Sequence, residues 1–281
     1  MAAYNPASRA APARSPCPAS VYELALQALA WLFLAALLAG FIDAIAGGGG
    51  MVTIPAMLLA GIPPLQVLGT NKLQAVFGSG AASWSYARGG HVDLRTQWRM
   101  ALAAAVGAAG GALLATAMPT DWLRAVLPLL LVAIALYFGL KRGVGELERH
   151  RRISPLLFGL AFVPAIGFYD GVFGPGTGSF LMLGFVSLAG FGILKATAHT
   201  KFLNFGSNVG ALAVFLAAGA VLWKVGLVMG VGQWIGARLG SHFAMRQGAR
   251  VIRPLLVVVS IALALRLLAD PAHPLRQWLG L

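Results

Sequence analysis

The chain has 281 residues, of which 59% are hydrophobic and only 10% charged, and it carries a formal net charge of +13. So little charge cannot cover a soluble domain, and so apolar a composition excludes a disordered chain. The Ala, Leu, Val and Gly runs approach bilayer-spanning length and do not alternate, which excludes a transmembrane barrel and leaves an all-α polytopic membrane protein.

Residues 1–21 are rich in Ala, Pro and Ser and are expected to form a disordered lead. The apolar run at about 24–46 is too long for a signal-peptide core and is read as a retained membrane segment. It enters the stretch GFIDAIAGGGGMVTIP at 40–55, with Asp43 followed by four consecutive glycines, Gly47 to Gly50. Each glycine costs a helix about 1 kcal/mol relative to alanine. A membrane helix therefore breaks here, and a second half-helix is expected to start near Met51. This first broken hairpin covers about 22–60 and ends in the turn Gly61-Ile62-Pro63-Pro64. A helix carrying Thr70-Asn71-Lys72-Leu73-Gln74 then runs to about Tyr86, followed by a basic loop with Arg88, Arg95 and Arg99. Spans are predicted at about 100–118 and 122–140, closing a first repeat over 22–140.

A basic linker at 141–154 holds Lys141, Arg142, Arg149, Arg151 and Arg152. The second repeat, 155–268, follows the same plan. A hairpin at about 155–189 is broken at GFYDGVFGPGTGSF, with a half-helix expected near Gly178. Next comes a helix carrying His199-Thr200-Lys201-Phe202-Leu203-Asn204 to about Ala218. Spans at about 225–242 and 252–268 flank a loop with Arg246, Arg250 and Arg253, and a short tail occupies 269–281. Offsets support a duplication: Asp43 and Asp170 differ by 127, as do Gly47 and Gly174, while Lys72 and Lys201 differ by 129.

A hairpin plus three spans crosses the membrane an odd number of times, so the second repeat should be inverted, with about 8–10 membrane segments in all. Thirteen of the 21 Lys and Arg residues fall in the loops at 87–99, 141–153, 190–195 and 238–253. Placing those loops in the cytoplasm sets both termini outside. This topological use of the basic residues leaves no reason to invoke nucleic acid. The single cysteine, Cys17, permits no internal disulfide.

Four charges lie in apolar context: Asp43, Lys72, Asp170 and Lys201. Each would cost about 2.5–3.5 kcal/mol at a helix centre, so they must pair or line a wet cavity. One reading is two structural ion pairs. The other is an anion site in which the lysines attract the ligand and Asp43 and Asp170 set their charge state or carry protons. Half-helix N-termini at Gly49, Gly50 and Met51, and at Gly176, Thr177 and Gly178, would aim free amides and the positive dipole end at the same cavity. Asn71, Gln74, Thr200 and Asn204 lie within one turn of the lysines and could hydrogen-bond a polar ligand. Thr53 and Ser179 could add hydroxyls, and His199 could couple proton movement. No phosphate-binding loop, metal-ligand spacing or catalytic triad is present, so neither a catalytic residue, a metal nor a cofactor is expected.

At these motifs the chain resembles the TauE/SafE sulfite exporter family, also called TSUP, and within it the YfcA-like subgroup. The resemblance rests on GFIDAIAGGGGMVTIPA at 40–56, LGTNKLQAVFGS at 68–79, GFYDGVFGPGTGSF at 167–180, ATAHTKFLNFGSNVGAL at 196–212 and GVGQWIGARLGSHFAMRQGARVIRPLLVVVS at 230–260. It implies a secondary carrier of a bacterial inner membrane, with two homologous halves and a small, often sulfur-containing anion as substrate: sulfite, sulfoacetate, another sulfonate or thiosulfate. His199 stands where the subgroup commonly carries asparagine. Alternating access would rock one repeat against the other, with protons as a coupling partner. Two other classes stay open at this point: a non-transporting membrane scaffold, and a cation or metal permease using the aspartates. The oligomeric state is open too.

Overall fold

The computed structural model describes residues 26–119, 122, 123, 126 and 152–247. The expected lead, nearly all of the span at 122–140, most of the basic linker, the span at 252–268 and the tail lie outside these residues. The described chain is helical, with no strand among the described residues.

Helix α1 (Leu26–Ala46) ends at the first glycine break, and α2 (Gly49–Leu59) resumes after two residues. The half-helix thus starts two residues earlier than Met51. Helix α3 (Pro64–Arg88) begins with proline at its first position, where the missing N–H costs nothing. Helix α4 (Leu94–Ala117) starts well before the expected residue 100, because Asp93 caps it by accepting the Arg95 N–H at 2.9 Å. Arg95 and Arg99 therefore ride on a helix and not on a loop.

Helix α5 (Pro155–Val172) opens on a Ser154 cap and carries a π-helical stretch at Phe158–Phe162. The wide turn sits directly before Pro164, which has no N–H to offer Leu160 and would crowd its carbonyl in a regular helix. After the second break, α6 (Thr177–Ser187) starts one residue ahead of expectation. Helix α7 (Ile193–Ala217) and helix α8 (Trp223–Gln247) complete the described chain, and Arg246 lies in the last turn of α8.

Among the described residues three helices, α1, α4 and α5, are both long and apolar enough to cross a membrane. Helices α3, α7 and α8 have 25 residues each, about 37 Å of helix, but carry more polar residues. Helices α2 and α6 have 11 residues, about 16 Å each, which is half of a bilayer's hydrocarbon core.

The arms that enter the two breaks pack across the chain: α1 lies along α8, and α5 lies along α4. Both seams are backbone to backbone. A Cβ on Gly232 would lie 3.2 Å from the Leu37 nitrogen, and one on Gly107 would lie 3.0 Å from Pro164 Cα. The four-residue glycine spacings Gly107/Gly111 and Gly232/Gly236/Gly240 form packing seams that let helices approach without side chains between them. Between the two seams, α3 packs on both α7 and α8, and α7 also packs on α4. Trp98, Trp122 and Trp223 lie exposed near helix ends, as interfacial aromatics do.

Candidate functional site

The two breaks meet. Gly47 ends α1 with φ of 79°, a left-handed conformation that frees the chain to turn back, and its carbonyl accepts the Ser179 N–H at 2.9 Å. The Ser179 hydroxyl closes the same contact, donating to the carbonyls of Ala46 and Gly47. A Cβ on Gly178 would lie 2.8 Å from Gly47 Cα, so the two breaks touch as bare backbone. On the second side, Gly174 and Gly176 are left-handed at 94° and 78°. Tyr169 holds that loop by donating its hydroxyl to the Pro175 carbonyl at 2.6 Å.

Around this junction the four buried charges pair between the two halves of the chain. Lys201 of α7 donates to Asp43 Oδ2 of α1 at 3.0 Å. Lys72 of α3 pairs with Asp170 Oδ1 of α5 at 2.8 Å. Both lysines are fully buried, as is Asp170, whereas Asp43 keeps 14% of its surface open. The second oxygens differ as well. Asp43 Oδ1 accepts the N–H of Gly49 at 3.0 Å, and Asp170 Oδ2 accepts the Ser207 hydroxyl at 2.7 Å.

A cavity of about 20 Å³ lies at the junction, room for about one water molecule. Its walls are the two aspartates, Gly47 to Gly50, and Gly174, Gly176, Thr177 and Gly178. Asn71 and Ala75 of α3 face Asn204 and Asn208 of α7 across it, and Gln233 of α8 closes it. Asn71 is held in place: its Oδ1 accepts from Thr53 and from Gln74 Nε2, each at 2.8 Å, which turns its NH2 group to the cavity side. Asn208 reaches back to the Asn204 carbonyl at 2.7 Å.

The expected site residues thus separate into groups. Asp43, Asp170, Gly49, Gly50, Asn71, Asn204, Gly176, Thr177 and Gly178 line the cavity. Lys72 and Lys201 stand behind their aspartates. Met51 is packed in the apolar core, and Gln74 serves Asn71. The Thr177 hydroxyl donates to the Gly174 carbonyl, and the Thr53 hydroxyl serves Asn71 and the Gly49 carbonyl. Thr200 is buried with its hydroxyl unpartnered, and His199 packs between the rings of Phe185 and Phe191. Sequence reasoning passed over Asn208, Ser207 and Gln233. Asn208 could have been found, since it lies four residues after Asn204 and so shares its helix face. Among the described residues no group of three His, Cys, Asp or Glu side chains converges to hold a metal.

Two half-helix N-termini, carboxamide donors and two carboxylates, each backed by a buried lysine, thus surround one small space. Comparison with known proteins agrees with a transport role. The family model for the sulfite exporter TauE/SafE matches residues 32–267. A "Probable membrane transporter protein ORF9" from Sinorhizobium sp is 70% identical over 92% of this chain and 99% of its own length. The "Probable membrane transporter protein YfcA" of Escherichia coli K12 is 46% identical over 93% of this chain and 98% of its own. A "Probable membrane transporter protein" from Haemophilus influenzae is 45% identical over 88% of this chain. No solved structure matches the chain. The chain therefore belongs to the TauE/SafE family of membrane transporters, and is a multi-pass helical membrane protein and not an enzyme.

Proposed function

We propose that the protein is a secondary carrier for a small anion of the sulfur oxyanion or sulfonate class, such as sulfite, thiosulfate or sulfoacetate, working by alternating access in a bacterial inner membrane. One observation carries the reading. Two lysines, buried at the junction of two broken helices, are each neutralised by an aspartate from the other half of the chain. A buried ion pair gains little stability over apolar residues of similar volume, because desolvation offsets most of the Coulomb attraction. Two such pairs beside two half-helix N-termini fit a site that must exchange one negative partner for another. The family's name supports the sulfur class.

The same reading takes the chain as two inverted repeats, at about 22–140 and 155–268, with both termini outside. The matched breaks, the reciprocal Lys–Asp pairs and the reciprocal packing of α1 on α8 and α5 on α4 support it. Asn71, Asn204 and the amides of Gly50 and Gly178 would contact the anion, and so would that of Gly49 once Asp43 lets it go. Lys72 and Lys201 would supply the field, and Asp43 and Asp170 would respond to protons. Gln74 and Thr200 would act one step removed, and so would His199.

The test is anion uptake into proteoliposomes, offering sulfite, thiosulfate, sulfoacetate and a carboxylate control, with and without a pH gradient. Flux of a sulfur anion that is lost in Lys72→Ala and Lys201→Ala is expected, and its response to the gradient decides proton coupling. Native-rate flux in both lysine variants refutes the mechanism.

A further inference from the structure

The two half-helix N-termini are not equivalent. At α2 the protein's own carboxylate is already in place: Asp43 Oδ1 accepts the Gly49 N–H at 3.0 Å while Oδ2 holds Lys201 at 3.0 Å. There is room for it because residue 49 is glycine; a Cβ there would lie 2.9 Å from Asp43 Cβ. At α6 the matching carboxylate has turned away. Asp170 binds Lys72 and Ser207, and Gly176 caps the helix with no side chain. The Gly178 N–H has no acceptor among the described residues.

Two buried side chains place donors beside Gly174, in the loop that leads into this helix. Asn71, 4% exposed, has its oxygen taken by Thr53 and Gln74, and its Nδ2 lies 3.6 Å from where a Cβ on Gly174 would stand. Lys72 Nζ, on a side chain 1% exposed, lies 3.2 Å from the same point, and its pair with Asp170 engages only one side of an ammonium that has three donors. Asn71 Nδ2 lies 3.6 Å from the corresponding Gly50 position as well, so it bridges both helix ends.

The geometry points to two matching anion seats, one filled by the tethered carboxylate of Asp43 and the other, lined by Gly178 N–H and Asn71 Nδ2 with Lys72 behind Asp170, built for a free oxyanion. This rests on the carrier reading and goes beyond it by giving the two aspartates opposite roles. Asp43 is a resident anion that competes for Lys201 and the α2 amide. Asp170 is a latch that keeps Lys72 charged and in position. The ligand class follows from the resident: a compact head with two or more oxygens that accept from an ammonium and a backbone amide together, as a carboxylate, sulfite or sulfonate does.

The roles predict an effect opposite to that of an ordinary site mutation. Asp43→Asn removes the competitor, so a free anion gains Lys201 and binds more tightly. The experiment is equilibrium binding of labelled thiosulfate to the detergent-solubilised full chain, with gluconate as background anion. Asp43→Asn is expected to bind about tenfold more tightly than the wild type or to take a second equivalent. Asp170→Asn is expected to bind more weakly, and Asp43→Asn/Lys201→Gln to return to wild-type affinity. An Asp43→Asn protein that binds no more tightly overturns the inference. So does the same gain in Asp170→Asn or in the double variant.

Asp43→Asn strands the Lys201 charge, so folding is followed with and without thiosulfate during solubilisation. Recovery of folded protein only with thiosulfate supports the inference. Failure to recover it even with thiosulfate, while the double variant folds, overturns it. Lysine-dependent thiosulfate flux in wild-type proteoliposomes without tightening in Asp43→Asn sinks this inference alone; absence of flux for every anion offered sinks the carrier reading with it.

Discussion

Gly47 and Gly61 share a backbone angle, φ of 79°, but not their surroundings. Nothing lies within 4 Å of a Cβ built on Gly61, whereas one built on Gly47 would stand 2.6 Å from the Ser179 nitrogen and 2.9 Å from Gly178 Cα. Alanine at either position must hold a left-handed conformation, at about 1–2 kcal/mol. At Gly47 overpacking adds about 1–3 kcal/mol, since a backbone neighbour cannot swing aside as a side-chain tip can. Separating the two breaks also weakens the three bonds from Ser179 to Gly47 and Ala46, at about 1–2 kcal/mol together because each is stretched and not lost. The sum is about 3–7 kcal/mol for Gly47→Ala against about 1–2 for Gly61→Ala. The unfolded-state entropy change is common to both and cancels. Thermal unfolding of the two purified variants in one detergent measures the difference. At about 2–4 °C per kcal/mol for chains of this size, Gly47→Ala should melt roughly 5–15 °C below Gly61→Ala. Equal midpoints would refute the claim that the two glycine breaks are locked to each other.

Further outcomes follow from the same geometry. Lys72→Ala leaves Asp170 buried without its counter-ion and should lower stability by about 3–5 kcal/mol, while Lys72→Met/Asp170→Leu should fold nearly as well as the wild type and carry no anion. Native flux in that paired variant would show the charges to be structural only. Ser207→Ala removes a 2.7 Å hydrogen bond to a carboxylate and should cost about 1.5–3 kcal/mol in thermal or denaturant unfolding. Tyr169→Phe frees the Pro175 carbonyl; it should cost about 1 kcal/mol and speed amide exchange at Gly176–Gly178 with little change elsewhere. Asn71→Asp keeps the oxygen that serves Thr53 and Gln74 but sets a carboxylate beside the cavity, and anion flux at neutral pH should fall about tenfold or more.

Glycine breaks and buried charges are legible in a sequence because each violates a local rule: Gly47 to Gly50 cannot continue a helix, and Lys72 cannot sit unpaired in an apolar run. Both half-helices consequently start within two residues of expectation, at Gly49 and Thr177. Partnership is another matter. That Asp43 holds Lys201 across 158 positions, and not Lys72 on the neighbouring helix, depends on which arm crosses to which long helix, and no local signal encodes that. Gln233 was invisible for a similar reason: it lies in a run of small residues that reads as a packing seam, and only the crossing of α1 over α8 turns it toward the cavity. The hydroxyls erred in a systematic direction. Thr53, Thr177 and Ser179 look like ligand donors, but a broken helix leaves carbonyls that need donors first, and these three side chains meet that local demand.

The seams also bear on how such a carrier would move. A cavity with room for about one water cannot hold a sulfur oxyanion, so on the carrier reading this conformation is closed and the junction must widen. Simple rocking of one sequence repeat against the other would have to peel α1 from α8 and α5 from α4. Those are backbone-to-backbone contacts, where Gly232 faces Leu37 and Gly107 faces Pro164 with no side chain to act as a bearing. Dispersion contacts at such short range are lost almost completely on a small separation. The contacts across the cavity are mostly polar: beside one short backbone touch of Gly47 on Gly178 there are Ser179 to Gly47 and two ion pairs whose charged ends can each be satisfied by an incoming anion or a proton. Widening there replaces one polar partner with another, whereas opening the seams replaces packed backbone with lipid. The moving bodies should therefore be α1 with α8 and α5 with α4, each assembled from both halves of the sequence, and the hinge should lie at the two glycine breaks that join each arm to its half-helix.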